Sequence, residues 1–167
     1  MRLLRLSTIF IISMIASNAH AVTWTGTDKT AIEAAGFTCV GDTCTSTADT
    51  DDLEITNVGT SSSSALINLN NGVYGTGNMG AMTLNGTNYL NVNVNGSMSG
   101  PLYAIHMNGS TNFGNIYNSA SGNMYGDTTT IGLQNASFTG NIVNDGVMDS
   151  RLFDIVSLEN STFTGNI

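Results

Sequence analysis

The C-terminal third of this chain repeats itself. The pentamer Phe-Thr-Gly-Asn-Ile occurs at 138–142 and again at 163–167. Related phrases that open on an aliphatic residue start at Leu84, Met107, Leu133 and Leu158, so their spacings are 23, 26 and 25 residues. Self-similarity at a fixed period of this size is the signature of stacked structural repeats. No other feature limits the possible folds as strongly.

Each copy alternates polar and apolar residues, as in Asn-Val-Asn-Val-Asn at 91–95, and this period of two predicts β-strands. Asn-Gly pairs at 71–72, 85–86, 95–96 and 108–109 predict turns between them. One such coil cannot bury its apolar face alone, whereas stacked coils form a continuous core. We therefore predict an all-β fold, a β-solenoid with about 23–26 residues per coil.

The stretch from Ile55 to Gly126 contains no Asp, Glu, Lys or Arg. Polar, Gly-rich sequence of this kind also fits disorder, and Asn-Gly turns also fit a β-sandwich of unrelated hairpins. The regular apolar positions argue against disorder, and the shared pentamer favours the solenoid over the sandwich.

Stacking in register places like residues over one another. We expect an aromatic ladder in the repeat core, formed by Phe113, Phe138 and Phe163 and begun by Tyr89. We also expect an amide ladder formed by Asn115, Asn141 and Asn166.

The same alignment places Thr139 over Thr164, with Gly114 at the equivalent position of the preceding copy. Regular threonine arrays occur on ice-binding solenoids, but this array is too short to favour that function.

Residues 1–21 have the order of a secretory signal peptide: basic Arg2 and Arg5, a short apolar run at 9–16, and Ala-His-Ala at 19–21. The run is too short to span a bilayer. We expect cleavage between Ala21 and Val22. Loss of the two arginines takes the net charge from −8 to −10, which excludes an electrostatic footprint for nucleic acid.

Residues 22–54 are predicted to form an N-terminal cap, and residues 55–167 the solenoid repeats. A short helix could begin at Thr27 or Asp28 and end at Gly36. Gly-Asp at 41–42 suits a two-residue hairpin turn, which places Cys39 opposite Cys44. Directly opposed strand residues lie within disulfide range, so we predict that these cysteines are bonded.

An export signal, a disulfide hairpin and acidic repeats with Gly-Asn-Ile and Asn-Asp-Gly phrases resemble the start of a bacterial autotransporter passenger. The resemblance implies a right-handed parallel β-helix exported through the inner membrane to the periplasm, cell surface or medium. It also implies a C-terminal β-barrel in the full-length protein. No such region follows here, so we expect a fragment that ends in mid-coil and self-associates through its last coil.

Catalytic chemistry has little support in this sequence. The tightest acidic cluster, residues 49–54, fits a solvated turn or a loose calcium site, and His106 is expected to point outward.

Arg151 and Asp154 could form a structural ion pair. Five Asn-x-Ser/Thr sequons begin at Asn85, Asn95, Asn108, Asn135 and Asn160, and we attribute them to turn chemistry.

These observations favour an exported structural or adhesive module without catalysis, cofactor or metal, whose target is a surface or a carbohydrate. The alternative is the N-terminal part of a carbohydrate-active β-helix lyase or hydrolase, with its site beyond this chain.

Overall fold

The computed structural model describes residues 22–77 and 79–167. The predicted signal peptide, including Ala21 of the cleavage site, lies outside the described residues, and Val22 opens the first strand. Nowhere in the described part of the chain is there a helix long and apolar enough to cross a bilayer.

The described residues form short strands and a five-residue helix, α1 (Thr30–Ala34). In chain order the strands are β1 (Val22–Thr25), β2 (Phe37–Val40), β3 (Thr43–Ser46), β4 (Thr50–Asp51), β5 (Leu53–Thr56), β6 (Ala65–Leu69), β7 (Val73–Tyr74), β8 (Gly80–Asn85), β9 (Thr87–Val94), β10 (Ser97–Gly100), β11 (Tyr103–Asn108), β12 (Thr111–Phe113), β13 (Ile116–Asn118), β14 (Asn123–Gly126), β15 (Thr129–Gln134), β16 (Ser137–Thr139), β17 (Ile142–Asn144), β18 (Val147–Ser150), β19 (Val156–Glu159) and β20 (Thr162–Thr164).

Except for β2, which pairs antiparallel with β3, each strand pairs in parallel with its counterpart in a neighbouring coil, and three sheets result. The first is six-stranded, in the order β1-β5-β8-β11-β15-β19, and the second is five-stranded, in the order β4-β7-β10-β14-β18. The third runs β2-β3-β6-β9 and then divides into β12-β16-β20 and β13-β17. The chain thus makes about five turns of a parallel β-solenoid, which confirms the predicted fold class. The described residues of the charge-free stretch are part of these coils.

The predicted repeat starts are confirmed residue by residue. Leu84 pairs with Met107, Met107 with Leu133, and Leu133 with Leu158. The same column extends back through Ile55 to Trp24. Its members from Trp24 to Leu133 are at most 1% exposed. A continuous apolar column therefore runs through the core, and burial of such apolar surface drives the coils together.

The predicted aromatic ladder is wrong in one step. The residue opposite Phe138 is Asn112, and Phe113 lies opposite Thr139. Phe113 follows Met107 by six residues, whereas Phe138 follows Leu133 by five. Because strand side chains alternate between faces, this one-residue difference moves Phe113 to the outer face.

Two separate aromatic stacks replace the single ladder. Outside, Tyr89 and Phe113 are half-buried and stack with ring centroids 4.9 Å apart. Inside, the fully buried Phe138 stacks on Phe163 at 5.5 Å. The repeat core therefore contains Phe138 and Phe163, while Tyr89 and Phe113 belong to the surface.

Glycine explains why the Gly-Asn-Ile phrase recurs. The eight-residue β9 is unbroken, but its later counterparts are divided at Gly114 and Gly140, which have φ of 149° and 152°. A Cβ on Gly140 would lie 1.9 Å from the carbonyl oxygen of Gly114 in the coil below. Only glycine fits this bend, because the bend requires a positive φ and brings the backbones of neighbouring coils too close for a Cβ atom.

The N-terminal end is covered, as predicted. Helix α1 packs on β1 and β2, and its Ile32 is fully buried. The helix begins at Thr30, whose N–H donates to the Asp28 carboxylate at 3.0 Å, and this hydrogen bond lowers the pKa of Asp28. The predicted boundary at 54/55 falls inside β5, because parallel stacking already begins with β1.

The hairpin β2–β3 has the predicted register. Val40 pairs with Thr43 and Cys39 with Cys44, and the two cysteines form a disulfide with their Cα atoms 4.1 Å apart. Strand β3 then pairs in parallel with β6, so the bonded hairpin forms the edge of the third sheet.

Replacing both cysteines with alanine is expected to lower the free energy of unfolding by less than the roughly 3 kcal/mol estimated for a 15-residue loop, since this loop is shorter. Urea denaturation of the oxidised wild type and the double variant measures the difference. A variant that loses its β signal in circular dichroism without urea would contradict the expectation.

The two aromatic stacks predict unequal mutant stabilities. Phe138→Ala leaves a cavity in the core and should lower the free energy of unfolding by about 3–5 kcal/mol. Phe113→Ala removes a surface stack worth about 0.5–1.5 kcal/mol together with the partly buried area of the ring, and should cost less than Phe138→Ala. Equal costs in thermal or urea unfolding would show that both rings lie on one face.

Candidate functional site

The outer surface of the third sheet carries the most regular side-chain pattern among the described residues. Along β9, and along β12, β16 and β20 with the two residues that follow each of these, a hydroxyl residue, an aromatic or threonine, and an asparagine occupy alternate positions. We call this surface the ladder face; its residues are Thr87, Tyr89, Asn91, Thr111, Phe113, Asn115, Ser137, Thr139, Asn141, Thr162, Thr164 and Asn166.

The ladder face is a grid because strand geometry sets both of its spacings. Neighbouring coils lie roughly 4.7–4.9 Å apart, and alternate residues along a strand roughly 6.6 Å apart. Thr87, Thr111, Ser137 and Thr162 form an uninterrupted hydroxyl column across four coils. The position predicted for Gly114 opposite Thr139 is occupied by Phe113, so the second column changes from aromatic to threonine.

The amide ladder is confirmed and begins one coil earlier than predicted. Asn91 Oδ1 accepts from the backbone N–H of Asn115 at 2.9 Å, and Asn115 Oδ1 accepts from the N–H of Asn141 at 2.8 Å. Asn141 Oδ1 accepts from the N–H of Asn166 at 3.0 Å. Each side chain therefore satisfies a corner amide of the next coil, which fixes the edge of the ladder face.

Two tyrosines outside the core donate to carboxylates. The Tyr117 hydroxyl donates to Asp145 at 2.9 Å, and the Tyr125 hydroxyl donates to Asp127 at 2.7 Å. In each case the hydrogen bond to the carboxylate favours the neutral phenol and raises the pKa of the tyrosine.

Arg151 pairs with Asp127 of the preceding coil at 3.2 Å. It does not form the Asp154 pair that the sequence suggested.

His106 has the predicted orientation but is buried. It lies on the side of β11 opposite the buried Ile105 and Met107, as the alternation predicts, but it is only 1% exposed. Tyr103 stacks on its ring at 4.7 Å, and its Nε2 lies 3.0 Å from Gln134 Oε1.

The acids at 49–54 bind the next coil. Asp49 accepts from the N–H of Gly72 at 2.7 Å, Asp52 accepts from the N–H of Thr76 at 2.8 Å, and Glu54 accepts from Asn85 Nδ2 at 2.6 Å. Throughout residues 22–77 and 79–167, no group of three or more His, Cys, Asp or Glu is placed to hold a metal ion. These carboxylates act as acceptors that join neighbouring coils.

The sequons follow the turns. Asn135 and Asn160 have positive φ, of 51° and 47°, which asparagine tolerates at tight corners. Asn85 and Asn95 donate through Nδ2 to Glu54 and Asn70 of the preceding coil.

Sequence reasoning aligned the repeats on phenylalanine and so missed the ladder face as a whole. The signal was present in the segments Thr-Asn-Tyr-Leu-Asn, Thr-Asn-Phe-Gly-Asn, Ser-Phe-Thr-Gly-Asn and Thr-Phe-Thr-Gly-Asn, which begin at 87, 111, 137 and 162. Alignment on their final asparagine reproduces the structural register.

No family model matches this chain, and no curated protein or solved structure matches it. Functional interpretation therefore starts from the residues themselves.

The amide ladder predicts an oxygen-specific effect. Asn115→Ala removes the acceptor of the Asn141 N–H and should lower the free energy of unfolding by about 0.5–1.5 kcal/mol. Asn115→Asp retains an acceptor oxygen and should cost less. Both are measured by urea unfolding, and an equal loss in the two variants would mean that the hydrogen bond does not contribute.

Proposed function

We propose that this chain is an exported structural or adhesive module that presents the ladder face to a surface or carbohydrate target. The single observation that carries the proposal is the four-coil hydroxyl column on one side of the solenoid, beside which lie a column of two aromatic residues and two threonines and then the asparagine column. Hydroxyls and amides donate and accept hydrogen bonds, and neither carries a charge. Such a face suits neutral polar targets.

The finer proposal is that the chain belongs to the passenger part of a bacterial autotransporter. Its support is the order of an export signal, a disulfide hairpin at the covered N-terminal end, and parallel coils. On this proposal the mature protein begins at Val22 and is delivered to the periplasm, cell surface or medium, and the full-length protein carries a barrel.

The test of adhesion uses beads coated with the purified chain and an array of surface glycans and matrix proteins. The double variant Thr111→Lys with Ser137→Lys disrupts two aligned positions of the ladder face. The matched control, Ser97→Lys with Asn123→Lys, adds the same charge at two aligned positions of the second sheet. Loss of retention in the first variant alone supports the proposal.

Equal retention of both variants would contradict the ladder face as the contact surface. Export is tested separately by N-terminal sequencing of the secreted product: a first residue of Val22 supports it, and an intact Met1 on exported protein contradicts it.

Self-association through the last coil is a further part of the proposal. In this chain β18, β19 and β20 are edge strands of their sheets, and Phe163 is covered from one side only. Large apolar side chains are exposed nearby, among them Phe153 at 69% and Ile167 at 77%. Unpaired edges with exposed apolar residues are templates for pairing with another chain.

Replacing Phe163 and Ile167 with lysine should reduce association of the 167-residue chain and leave its β content nearly unchanged. Analytical ultracentrifugation and circular dichroism measure the two effects. Phe138→Lys, one coil inside, should instead cost several kcal/mol, because it buries an unpaired charge. A wild-type chain that stays monomeric at high concentration, and that tolerates lysine equally at both positions, would contradict this arrangement.

A further inference from the structure

Four Asn-Gly pairs lie at corners of the coils, at 71–72, 85–86, 95–96 and 108–109. An asparagine that precedes glycine is chemically reactive as well as suited to turns. The backbone nitrogen of the glycine can attack the side-chain amide carbon of the asparagine, and glycine has no Cβ to obstruct the approach. Whether a pair reacts in the folded protein depends on how freely the fold lets these two groups meet.

The reaction needs only water and hydroxide. The glycine nitrogen gives its proton to hydroxide and forms a bond to the asparagine Cγ, while the side-chain nitrogen takes a proton from water and leaves as ammonia. The resulting succinimide ring then adds water. Opening at one carbonyl gives aspartate, and opening at the other gives isoaspartate, in which the backbone continues through the former side chain.

Two of the four pairs have their attacking nitrogen bound within the fold. In the pair at 71–72 the buried glycine donates its N–H to the Asp49 carboxylate at 2.7 Å. In the pair at 95–96 the glycine N–H donates to the Leu69 carbonyl at 2.8 Å, and the asparagine Nδ2 donates to Asn70 Oδ1 at 2.9 Å. Attack in either pair requires these hydrogen bonds to break first.

In the third pair, at 85–86, the side chain is the group that is held. The Gly86 N–H has no partner among the described residues, but Glu54 Oε1 accepts from Asn85 Nδ2 at 2.6 Å. A hydrogen bond to a carboxylate is roughly twice as strong as one between neutral groups. The corner is also crowded, since a Cβ on Gly86 would lie 2.2 Å from Asn57 Oδ1. These contacts keep the amide from turning toward the glycine.

The fourth pair, at 108–109, is open. Asn108 and Gly109 are both exposed, and the Asn108 side chain has no hydrogen-bond partner among the described residues. A Cβ built on Gly109 would have nothing within 4 Å. One neutral hydrogen bond holds the attacking nitrogen, from the Gly109 N–H to the Gln134 carbonyl at 2.9 Å. The barrier that the fold adds here is therefore the opening of that one bond.

We propose that Asn108 is a site of spontaneous succinimide formation, and that the folded protein converts it to aspartate and isoaspartate faster than its other Asn-Gly asparagines. The free, exposed amide beside an unobstructed glycine carries this assignment. It does not depend on the proposed adhesive function or on export.

Both products change the corner that leads from the core column to the ladder face. Asn108 directly follows Met107 of the core column, and Thr111 of the ladder face lies three residues further along the chain. Aspartate places a negative charge in a stretch that has none. Isoaspartate lengthens the backbone by one carbon between Met107 and Thr111. The modification therefore acts on the joint between the core and the ladder face.

The test measures the conversion of all four pairs in one chain. The purified protein is incubated at neutral and at mildly alkaline pH, and its chymotryptic peptides are analysed by mass spectrometry, which detects replacement of the amide NH2 by OH. Synthetic peptides identify the aspartate and isoaspartate products by chromatography. Rates are taken from the first part of the reaction, while the β signal in circular dichroism is unchanged. The same chain, reduced and unfolded in urea, supplies the rate of each pair without the fold.

In the folded chain we expect Asn108 to convert fastest, at a rate that rises with pH because the attacking nitrogen must lose its proton. Opening one neutral hydrogen bond should slow it roughly two- to tenfold relative to the unfolded chain. Asn71, Asn85 and Asn95 should be slowed further. Asn108→Gln, whose reaction requires a larger ring, should remove the signal at this corner, and the matched control Asn95→Gln should leave conversion of Asn108 unchanged.

The proposal is overturned if Asn71, Asn85 or Asn95 converts as fast as Asn108 in the folded chain. It is also overturned if folding slows Asn108 by more than about tenfold, because one neutral hydrogen bond does not account for greater protection.

Discussion

Parallel hydrogen bonding of each coil to the next in fixed register is the constraint on which the rest of this structure depends. It aligns Leu84, Met107 and Leu133 inside the solenoid, and it aligns Asn115 with Asn141 at its corner. Because neighbouring strands lie about 4.7–4.9 Å apart, paired side chains of adjacent coils lie within contact distance of each other. The fold therefore repeats the contacts of each residue type from coil to coil along a column.

Stacking of like residues disfavours columns of like charge, and the stretch from Ile55 to Gly126 contains no charged residue. Like charges directly opposite one another on paired strands are destabilising, so a charged column would repel itself. Asparagine avoids the problem, since its amide offers both an acceptor and donors to the next coil. The carboxylates that do occur at the N-terminal coils accept from uncharged donors one coil away, as Asp49 does from Gly72 and Asp52 from Thr76.

The ladder face is a consequence of repetition, and its chemistry varies only where one coil departs from the next, as at Phe113 and Thr139. The N-terminal end differs, because the turn after β1, the hairpin turn and the loop after β5 meet beside Trp24, and each contributes a different side chain. A regular grid of side chains suits an extended target.

The sequence by itself determined the solenoid, the starts of its coils, the disulfide hairpin and the asparagine ladder. Each of these follows from local spacing: a period of two within strands, a period of about 25 between coils, and two residues between hairpin strands. Which face Phe113 occupies was decided by the tertiary structure, because the sequence offers two alignments of the repeats, one on the phenylalanines and one on the asparagines. The corner between Leu84 and Asn88 is one residue shorter than the corner between Met107 and Asn112. Tyr89 therefore aligns with Phe113. It does so although Tyr89 and Phe138 follow their coil starts by the same number of residues. The burial of His106 beneath Tyr103 and the meeting of Trp24 with Asp42 and Asn57 were likewise decided by the tertiary structure. These contacts join residues of different coils or loops, and no spacing along the chain encodes how side chains from separate turns fill the space between them.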